Sequence, residues 1–152
     1  MDAIAMYRII ESANKVVNRV LALCADRTGG YFCLVDPESG FCVILFLIGT
    51  VAAEKGQKYY SFAQEKALRL RAHPEHRSSW QSRNPDQSQW GGAVKAKTYI
   101  FSFSGLPELA DEAAMLELAV DLGELDLMAA FHLARISDND FFAQLHPTSP
   151  TL

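Results

Sequence analysis

The chain has 152 residues, of which 49% are hydrophobic and 21% are charged, and its formal net charge is −4. This length fits one domain of ordinary size and is too short for a two-domain enzyme. The apolar content and the modest net charge exclude a disordered chain, and nine Gly with six Pro exclude a collagen-like or low-complexity one. We expect a single domain over residues 1–152, with a core of about residues 2–135 and a partly frayed tail over about residues 136–152.

The N-terminal Met-Asp-Ala-Ile segment has no basic region followed by an apolar stretch, so it does not resemble a signal peptide. The longest apolar run, residues 41–49, is about half as long as a helix that spans a bilayer. We expect a cytoplasmic protein with no membrane partner. Cys24, Cys33 and Cys42 form no CxxC pair and lie among apolar neighbours, which indicates buried free thiols.

Charge is unevenly distributed along the chain. Residues 66–97 contain seven Lys or Arg against two acids, and residues 108–140 contain nine acids against one Arg. The two regions could meet across a subunit contact, the basic region could receive an anionic ligand, or both could be solvated faces. The overall acidic balance argues against a nucleic-acid partner, because such binding needs a concentrated basic surface.

The first third of the chain predicts a helix followed by a β-hairpin. From Asp2 to Cys24, apolar residues recur every three or four positions, which indicates a helix with one buried face. Two runs of aromatic and β-branched residues follow, at 31–35 and 41–48. They flank the segment Asp-Pro-Glu-Ser-Gly, whose Pro and Gly favour a turn.

The two faces of this hairpin follow from pairing Asp36 with Phe41. One face then carries Tyr31, Cys33, Val35, Cys42, Ile44 and Phe46, and the other carries Phe32, Leu34, Phe41, Val43, Leu45 and Leu47. Both faces are apolar, whereas a hairpin open to water on one side alternates polar with apolar residues. We expect helices on both sides of the sheet, or a helix on one side and a partner subunit on the other.

The middle of the chain predicts a second helix, a long polar loop and a second hairpin. The helix spans about Gln57–Ala72, and Lys66 falls within its apolar stripe. Residues 73–90, called the 73–90 loop below, have no helical or strand period, and such long structureless segments are usually functional or mobile. Strands are predicted at about residues 92–95 and 98–104, with the turn near residues 95–97.

A third helix is predicted from Pro107 to a stop at Gly123, with its apolar stripe at Leu109, Ala113, Leu116 and Val120. A shorter fourth helix covers about residues 124–135. The fold class is therefore α+β, with an antiparallel sheet of four or five strands flanked by helices. The expected core residues are Val17, Leu21, Leu34, Val43, Leu45, Ala67, Ile100, Leu116 and Val120.

The element order and several short motifs resemble the haem-binding GlcG/HbpS-like family, which includes the C-terminal domain of PduO-type proteins. The matching positions are Ala63, Lys66, Ala67, Gly91, Gly92, Ser104, Gly105, Pro107, Asp111 and Glu112. The resemblance covers about residues 10–122. It implies a profilin-like antiparallel sheet, assembly into dimers or larger oligomers, and, as in some members, a haem or cobalamin ligand.

Lys66 is the first candidate binding residue. A lysine inside an apolar stripe must reach solvent, pair with an acid or bind a ligand. Asp111 and Glu112 are the natural acidic partners, although both also complement the N-terminal end of a helix dipole without any ligand. A metal site built from Glu108, Asp111 and Glu112 is a further alternative.

His73 and His76 are three residues apart, a spacing that suits a metal or an axial ligand to haem iron if the helix continues. Pro74 argues against that continuation, which would leave two ordinary loop histidines.

Trp80 and Trp90 bracket the polar part of the loop. They could stack on a flat ligand while Arg77 or Arg83 contacts its carboxylates, or they could anchor the loop to the body of the protein.

Catalytic patterns are largely missing from the sequence: Ser104 lies in FSFSG rather than GxSxG, and no P-loop or GxGxxG is present. The favoured hypothesis is a small-molecule binding or sensing domain for haem or another anionic ligand. The alternatives are a homo-oligomeric scaffold without a ligand site and a small enzyme acting on an anionic metabolite. The candidate ligand-binding residues are Lys66, His73, His76, Arg77, Trp80, Arg83, Trp90, Ser104 and Gly105.

A hairpin with two apolar faces also predicts a homodimer or a higher oligomer.

Overall fold

The computed structural model describes residues 1–147, and its elements begin in the order α-β-β-α-β-β-α, with two further helices after them. They are α1 (Ala3–Leu21), β1 (Gly29–Val35), β2 (Cys42–Gly49), α2 (Ala53–Arg71), β3 (Ala93–Lys95), β4 (Ile100–Ser104), α3 (Glu108–Asp121), α4 (Leu127–Ile136) and α5 (Asp140–Leu145). Asp2 caps α1, since its carboxylate accepts the N–H of Ala5 at 2.8 Å. The predicted α+β class is confirmed.

The four strands form one antiparallel sheet in the order β2-β1-β4-β3. The predicted pairing of the first two strands is confirmed, and β1 also pairs with β4. The hydrophobic strands β1 and β4 are thus central, while β2 and the three-residue β3 form the edges. This arrangement is consistent with a profilin-like fold.

The predicted register of the first hairpin is correct at one pair and wrong beyond it. Val35 pairs with Cys42, but the next pair is Leu34 with Ile44, so Val43 is an extra residue in a β-bulge. A shift of one residue exchanges the two faces of a strand. Beyond the bulge, Ile44, Phe46 and Ile48 therefore share a face with Phe32 and Leu34, and Leu45 and Leu47 lie on the opposite face.

Two hydrophobic cores lie on the two faces of the sheet. The larger core contains residues of α1, α3 and the sheet, and the smaller one lies between α2 and the sheet. Five of the nine expected core residues are buried: Val17, Leu34, Ala67, Ile100 and Leu116. The other four, Leu21, Val43, Leu45 and Val120, are only partly buried because they lie at the margins of the two cores.

The helix α3 is buried on all sides rather than along the predicted single stripe. Every residue from Ala110 to Ala119 is buried, including three acids. The reason is that α3 packs against α1, α4, α5, β3 and β4 at once. Over these residues α3 therefore has no side that faces solvent, and its three acids bind partners inside the protein.

The C-terminal segment contains a helix that the sequence analysis does not predict. In α5, Phe142 is fully buried, and the side chain of Asn139 accepts the N–H of Phe142 at 2.9 Å. His146, expected to lie in the frayed tail, contacts the carboxylate of Glu117 on α3. Residues 136–147 are thus packed against the core, and the rest of the expected tail lies outside the described residues.

The thiols and the helices bear on two further expectations. Cys33 is buried and Cys24 is partly buried, but Cys42 is exposed because it begins the edge strand β2, so the prediction of three buried thiols is wrong there. Burial raises the pKa of the Cys33 thiol. Within residues 1–147, no helix is both long and apolar enough to cross a membrane.

Candidate functional site

Lys66 lies at the centre of the candidate site, on the face of α2 that packs against the sheet. Its side chain is 2% exposed, and its ammonium group donates to the carboxylate of Asp111 at 2.9 Å and to the carbonyl of Phe103 at 2.8 Å. The small neighbours Ala63 and Ala67 are fully buried on the same face of α2. Of the two acids expected as partners, Asp111 is the one that pairs with Lys66.

Asp111 lies in the first turn of α3 and is itself buried. One carboxylate oxygen accepts from Lys66 and the other accepts the N–H of Leu106 at 2.9 Å. Burial raises the pKa of Asp111 to about 6, although the charge and hydrogen bond of Lys66 act in the opposite direction. This buried pair holds α2 and α3 together through two opposite charges.

Two glycines let the backbone pass close to the pair. Gly92 has a φ of +123°, and a Cβ there would lie 2.7 Å from the Lys66 nitrogen and 2.9 Å from the Asp111 Cβ. Gly105 has a φ of +150°, and its Cβ would lie 2.3 Å from the carbonyl oxygen of Gly29. Only glycine fits either position without rearrangement. Gly92 thus leaves room for the Lys66 ammonium group, and Gly105 leaves room for the backbone of Gly29.

A cleft of about 330 Å³ opens beside the pair, and we call it the Lys66 cleft. Four of the nine candidate ligand-binding residues line it, namely Lys66, Trp90, Ser104 and Gly105. The remaining lining residues are Arg27, Lys58, Tyr59, Phe62, Leu106, Pro107, Glu108 and Asp111. Its walls therefore combine aromatic rings with charged groups of both signs.

The acids of the cleft are already paired with cations. Asp111 binds Lys66, and Glu108 accepts from the Arg83 guanidinium at 2.7 Å and from the Gly91 N–H at 2.7 Å. These contacts also join the basic middle of the chain to its acidic end within one molecule. The segregated charges therefore need no second subunit to meet.

Two cations of the cleft are not paired in this way. Among the residues that the structure describes, Arg27 and Lys58 form no ion pair. Arg27 donates to the carbonyl of Gly105 at 3.0 Å, so its guanidinium lies beside the Ser104-Gly105 turn, which also lines the cleft. Neither residue lies in a motif or an apolar stripe of the sequence that marks it as a candidate.

The two tryptophans have different positions at the cleft. Trp90 lines it, whereas Trp80 does not and packs against Gly91, where a Cβ would lie 2.8 Å from the indole ring. The guanidinium of Arg83 lies over both indoles, at 4.7 Å from the Trp80 ring centroid and 5.6 Å from that of Trp90. Trp80 and Arg83 thus support the wall without lining the cleft.

The two histidines of the loop do not reach the Lys66 cleft. Their rings stack on each other, with centroids 4.5 Å apart, and the Nδ1 of His73 lies 2.8 Å from the carbonyl oxygen of Arg69. Arg77 is exposed and lies next to α4 instead. Three of the nine candidate residues are therefore remote from the site that Lys66 and Trp90 share.

Arg69 organises the 73–90 loop, which is folded rather than structureless. The loop contains two short 3₁₀ turns, Ser79–Ser82 and Pro85–Gln87. The Arg69 guanidinium donates to the carbonyls of Ser79 at 2.9 Å and Trp90 at 2.6 Å, and to the Glu65 carboxylate at 2.8 Å. Arg69 lies three residues after Lys66 on α2 and next to its apolar stripe. This spacing in the sequence is enough to mark Arg69 as a second buried cation on the same face of the helix.

Glu112 is a second buried carboxylate, but it has a structural role. It accepts from the Ser78 hydroxyl at 2.6 Å, from the Asn139 amide at 2.6 Å and from the Ser137 hydroxyl. Burial raises the pKa of Glu112, and these three hydrogen bonds lower it. Glu112 therefore links the 73–90 loop to the segment between α4 and α5.

A metal site at the start of α3 is not supported. Glu108, Asp111 and Glu112 each bind different partners, as described above. In residues 1–147, no three His, Cys, Asp or Glu side chains are grouped so that they could hold a metal ion.

Comparisons of the chain with family models, with curated proteins and with solved structures found no match. The function of the cleft is therefore inferred from its own chemistry.

Proposed function

We propose that the protein is a small-molecule binding domain that takes a small aromatic carboxylate in the Lys66 cleft. The observation that carries this proposal is the presence of two unpaired cations, Arg27 and Lys58, in a cleft whose acids are already neutralised. Five of the ten positions that carry the resemblance to the GlcG/HbpS-like family line this cleft, which supports the same proposal: Lys66, Ser104, Gly105, Pro107 and Asp111.

The charges of the cleft favour an anion. The pairs of Lys66 with Asp111 and of Glu108 with Arg83 each sum to zero, so Arg27 and Lys58 leave a local balance of two positive charges. A guanidinium presents a planar set of donors that matches a carboxylate in a bidentate manner. We therefore assign the binding of the carboxylate to Arg27, with Lys58 adding a second positive charge.

The size and walls of the cleft favour a flat ligand of modest size. Its volume of about 330 Å³ lies near the lower end of the range of roughly 300–1,000 Å³ that is usual for small-molecule sites. Tyr59, Phe62 and Trp90 supply aromatic surface, and Ser104 supplies a hydroxyl. Aromatic side chains and a single ring of a ligand can stack with each other.

Haem, which the resemblance implies, does not fit this set of residues. Among the described residues, no histidine, cysteine or methionine lines the cleft, and Tyr59 is the one lining residue of a type that ligates haem iron. His73 and His76, the candidate axial ligands, stack on each other outside the cleft. A smaller anion is therefore favoured over haem.

The test is a titration of the wild type with benzoate, salicylate, succinate, inorganic phosphate and hemin by isothermal calorimetry. We expect benzoate or salicylate to bind most tightly. Arg27→Met should weaken that binding by about 1.5–3 kcal/mol, the net worth of a hydrogen bond to a charged group. Lys58→Met removes only an exposed positive charge and should weaken it less, by about 0.2–1 kcal/mol. Lys15→Met, which removes an exposed lysine of α1, is the matched control.

Two results would refute the proposal. One is that no carboxylate of the panel binds the wild type. The other is that Arg27→Met and Lys58→Met bind as tightly as Lys15→Met. Tight binding of hemin alone, accompanied by a change in its visible spectrum, would instead favour the haem alternative.

A further inference from the structure

The strand β2 is an edge of the sheet with an open outer side. It pairs with β1 on its inner side, and among the residues that the structure describes no strand or isolated bridge pairs with its outer side. The opposite edge, β3, is different. There the 73–90 loop covers the strand, through a bridge between Ser78 and Val94 and a hydrogen bond of 2.9 Å from the Lys95 N–H to the Arg77 carbonyl.

One face of β2 is also incompletely covered. The helix α2 packs mainly against β1, β3 and β4, whereas α1 contacts the other face of β2. On the α2 side of the strand, Leu47 is 42% exposed, Cys42 is exposed and Leu45 is only partly buried. An unpaired edge and an apolar strip therefore occur together on one strand.

Apart from a bulge at Val43, the strand β2 has none of the features that normally protect an exposed edge. Proteins usually place lysine, another charge or proline on such strands, or keep the strand very short. Residues 41–49 contain no charged residue and no proline, and β2 is eight residues long. The one irregularity, the bulge at Val43, lies near the beginning of the strand and leaves Ile44–Gly49 regular.

We propose that β2 pairs antiparallel with β2 of a second copy of this chain, about a two-fold axis near Leu45 and Phe46. Such pairing is self-complementary, because each copy offers the same row of backbone donors and acceptors. It converts two four-stranded sheets into one sheet of eight strands. The apolar strips of both copies then lie side by side between the two α2 helices.

The charges around the strand favour a second copy as the occupant. A homodimer places identical residues close together, and a strand without charge brings no repulsion to the axis. Antiparallel pairing also places the hairpin turn of one copy next to the beginning of α2 of the other. Acids exceed bases by one at the turn, and bases exceed acids by one at the beginning of α2. The residues concerned are Asp36, Glu38 and Arg71 at the turn, and Glu54, Lys55 and Lys58 at α2.

The strand β2 is separate from the proposed ligand site, although Lys58 of α2 also lines the Lys66 cleft. No residue of β2 lines the Lys66 cleft. Loss of the dimer and loss of ligand binding are therefore separable results.

The test compares the wild type with Leu47→Lys by light scattering coupled to size exclusion over a range of concentrations. We expect the wild type to be a dimer at about 50 µM, and Leu47→Lys to raise the dimer dissociation constant about thirtyfold or more, as for loss of an interface hot spot. Leu68→Lys is the matched control, because Leu68 is 46% exposed but lies on the outer face of α2. It should remain a dimer.

Hydrogen exchange of the wild type provides a second measurement that does not depend on the folding of a variant. Amides of β2 should exchange more slowly at high than at low protein concentration, whereas those of β3 should not change. A monomer at about 50 µM, a dimer that Leu47→Lys leaves intact, or exchange in β2 that is independent of concentration would each overturn the proposal. A monomer would point to an extended peptide of another protein as the occupant of the edge.

Discussion

Replacement of Lys66 by Met tests the buried ion pair most sharply. The substitution keeps most of the apolar length of the side chain but removes the ammonium group, which leaves the Asp111 carboxylate buried without a cation and the Phe103 carbonyl without its donor at 2.8 Å. Removing one partner of a buried pair costs about 3–5 kcal/mol, because the other charge stays buried. We therefore expect Lys66→Met to lose about 4 kcal/mol of the free energy of unfolding at neutral or higher pH.

The cost should depend on pH in a defined direction. Burial already raises the pKa of Asp111 to about 6 in the folded protein, and removing Lys66 raises that pKa further. Since folding then favours the protonated carboxyl, the contribution of Asp111 to stability is largest below its unfolded pKa and is lost as the pH rises through its folded pKa. The deficit of Lys66→Met relative to the wild type should thus be smaller at about pH 5 than at about pH 8.

The assay is urea unfolding of the wild type, Lys66→Met, Asp111→Asn and the double variant at both pH values. Asn at position 111 keeps an acceptor for the Leu106 N–H, which Asp111 binds at 2.9 Å. The double variant should therefore recover most of the stability that Lys66→Met loses at the higher pH. The reasoning is refuted if the double variant is no more stable than Lys66→Met, or if the deficit of Lys66→Met does not change with pH.

Three further substitutions test other parts of the site. Arg69→Met should open the 73–90 loop to trypsin, seen as faster cleavage within the loop, whereas Arg71→Met, at an exposed arginine, should leave the loop resistant; equal cleavage of both variants would show that Arg69 does not hold the loop. Gly92→Ala places a Cβ against the Lys66 ammonium in a left-handed conformation, and should cost about 2 kcal/mol or more by urea unfolding; an unchanged midpoint would contradict the steric role of the glycine. Glu112→Leu removes the buried acceptor that three side-chain donors share, although Asn139 keeps its bond to the Leu109 carbonyl, so a loss of about 3 kcal/mol is expected by thermal unfolding, and a neutral effect would exclude Glu112 as a structural link.

The sequence predicted the hairpin but not its register, for a physical reason. All side chains of residues 41–48 are apolar, so alternation along the strand carries no information about which face is buried. A bulge at Val43 is invisible in such a run, and it exchanged the faces of every later residue. The periodic helix α1, by contrast, was predicted to within three residues at its ends.

The candidate site was predictable in part. Lys66 was recognisable because one charge interrupts an apolar stripe, and Asp111 because acids cluster at the start of the next helix. Arg27 and Lys58 were not recognisable, since each lies in an unremarkable polar context and only the packing of distant segments brings them to one cleft. Similarly, α5 is six residues long and too short to show a helical period.

The most direct test of the proposed ligand site is a two-dimensional amide NMR titration of the ¹⁵N-labelled protein with benzoate. The account predicts shifts that saturate and are confined to residues of the Lys66 cleft, chiefly Arg27, Gly105 and Leu106, and it predicts their loss in Arg27→Met. A titration that leaves these amides unmoved, or that shifts them equally in the wild type and in Arg27→Met, would contradict it.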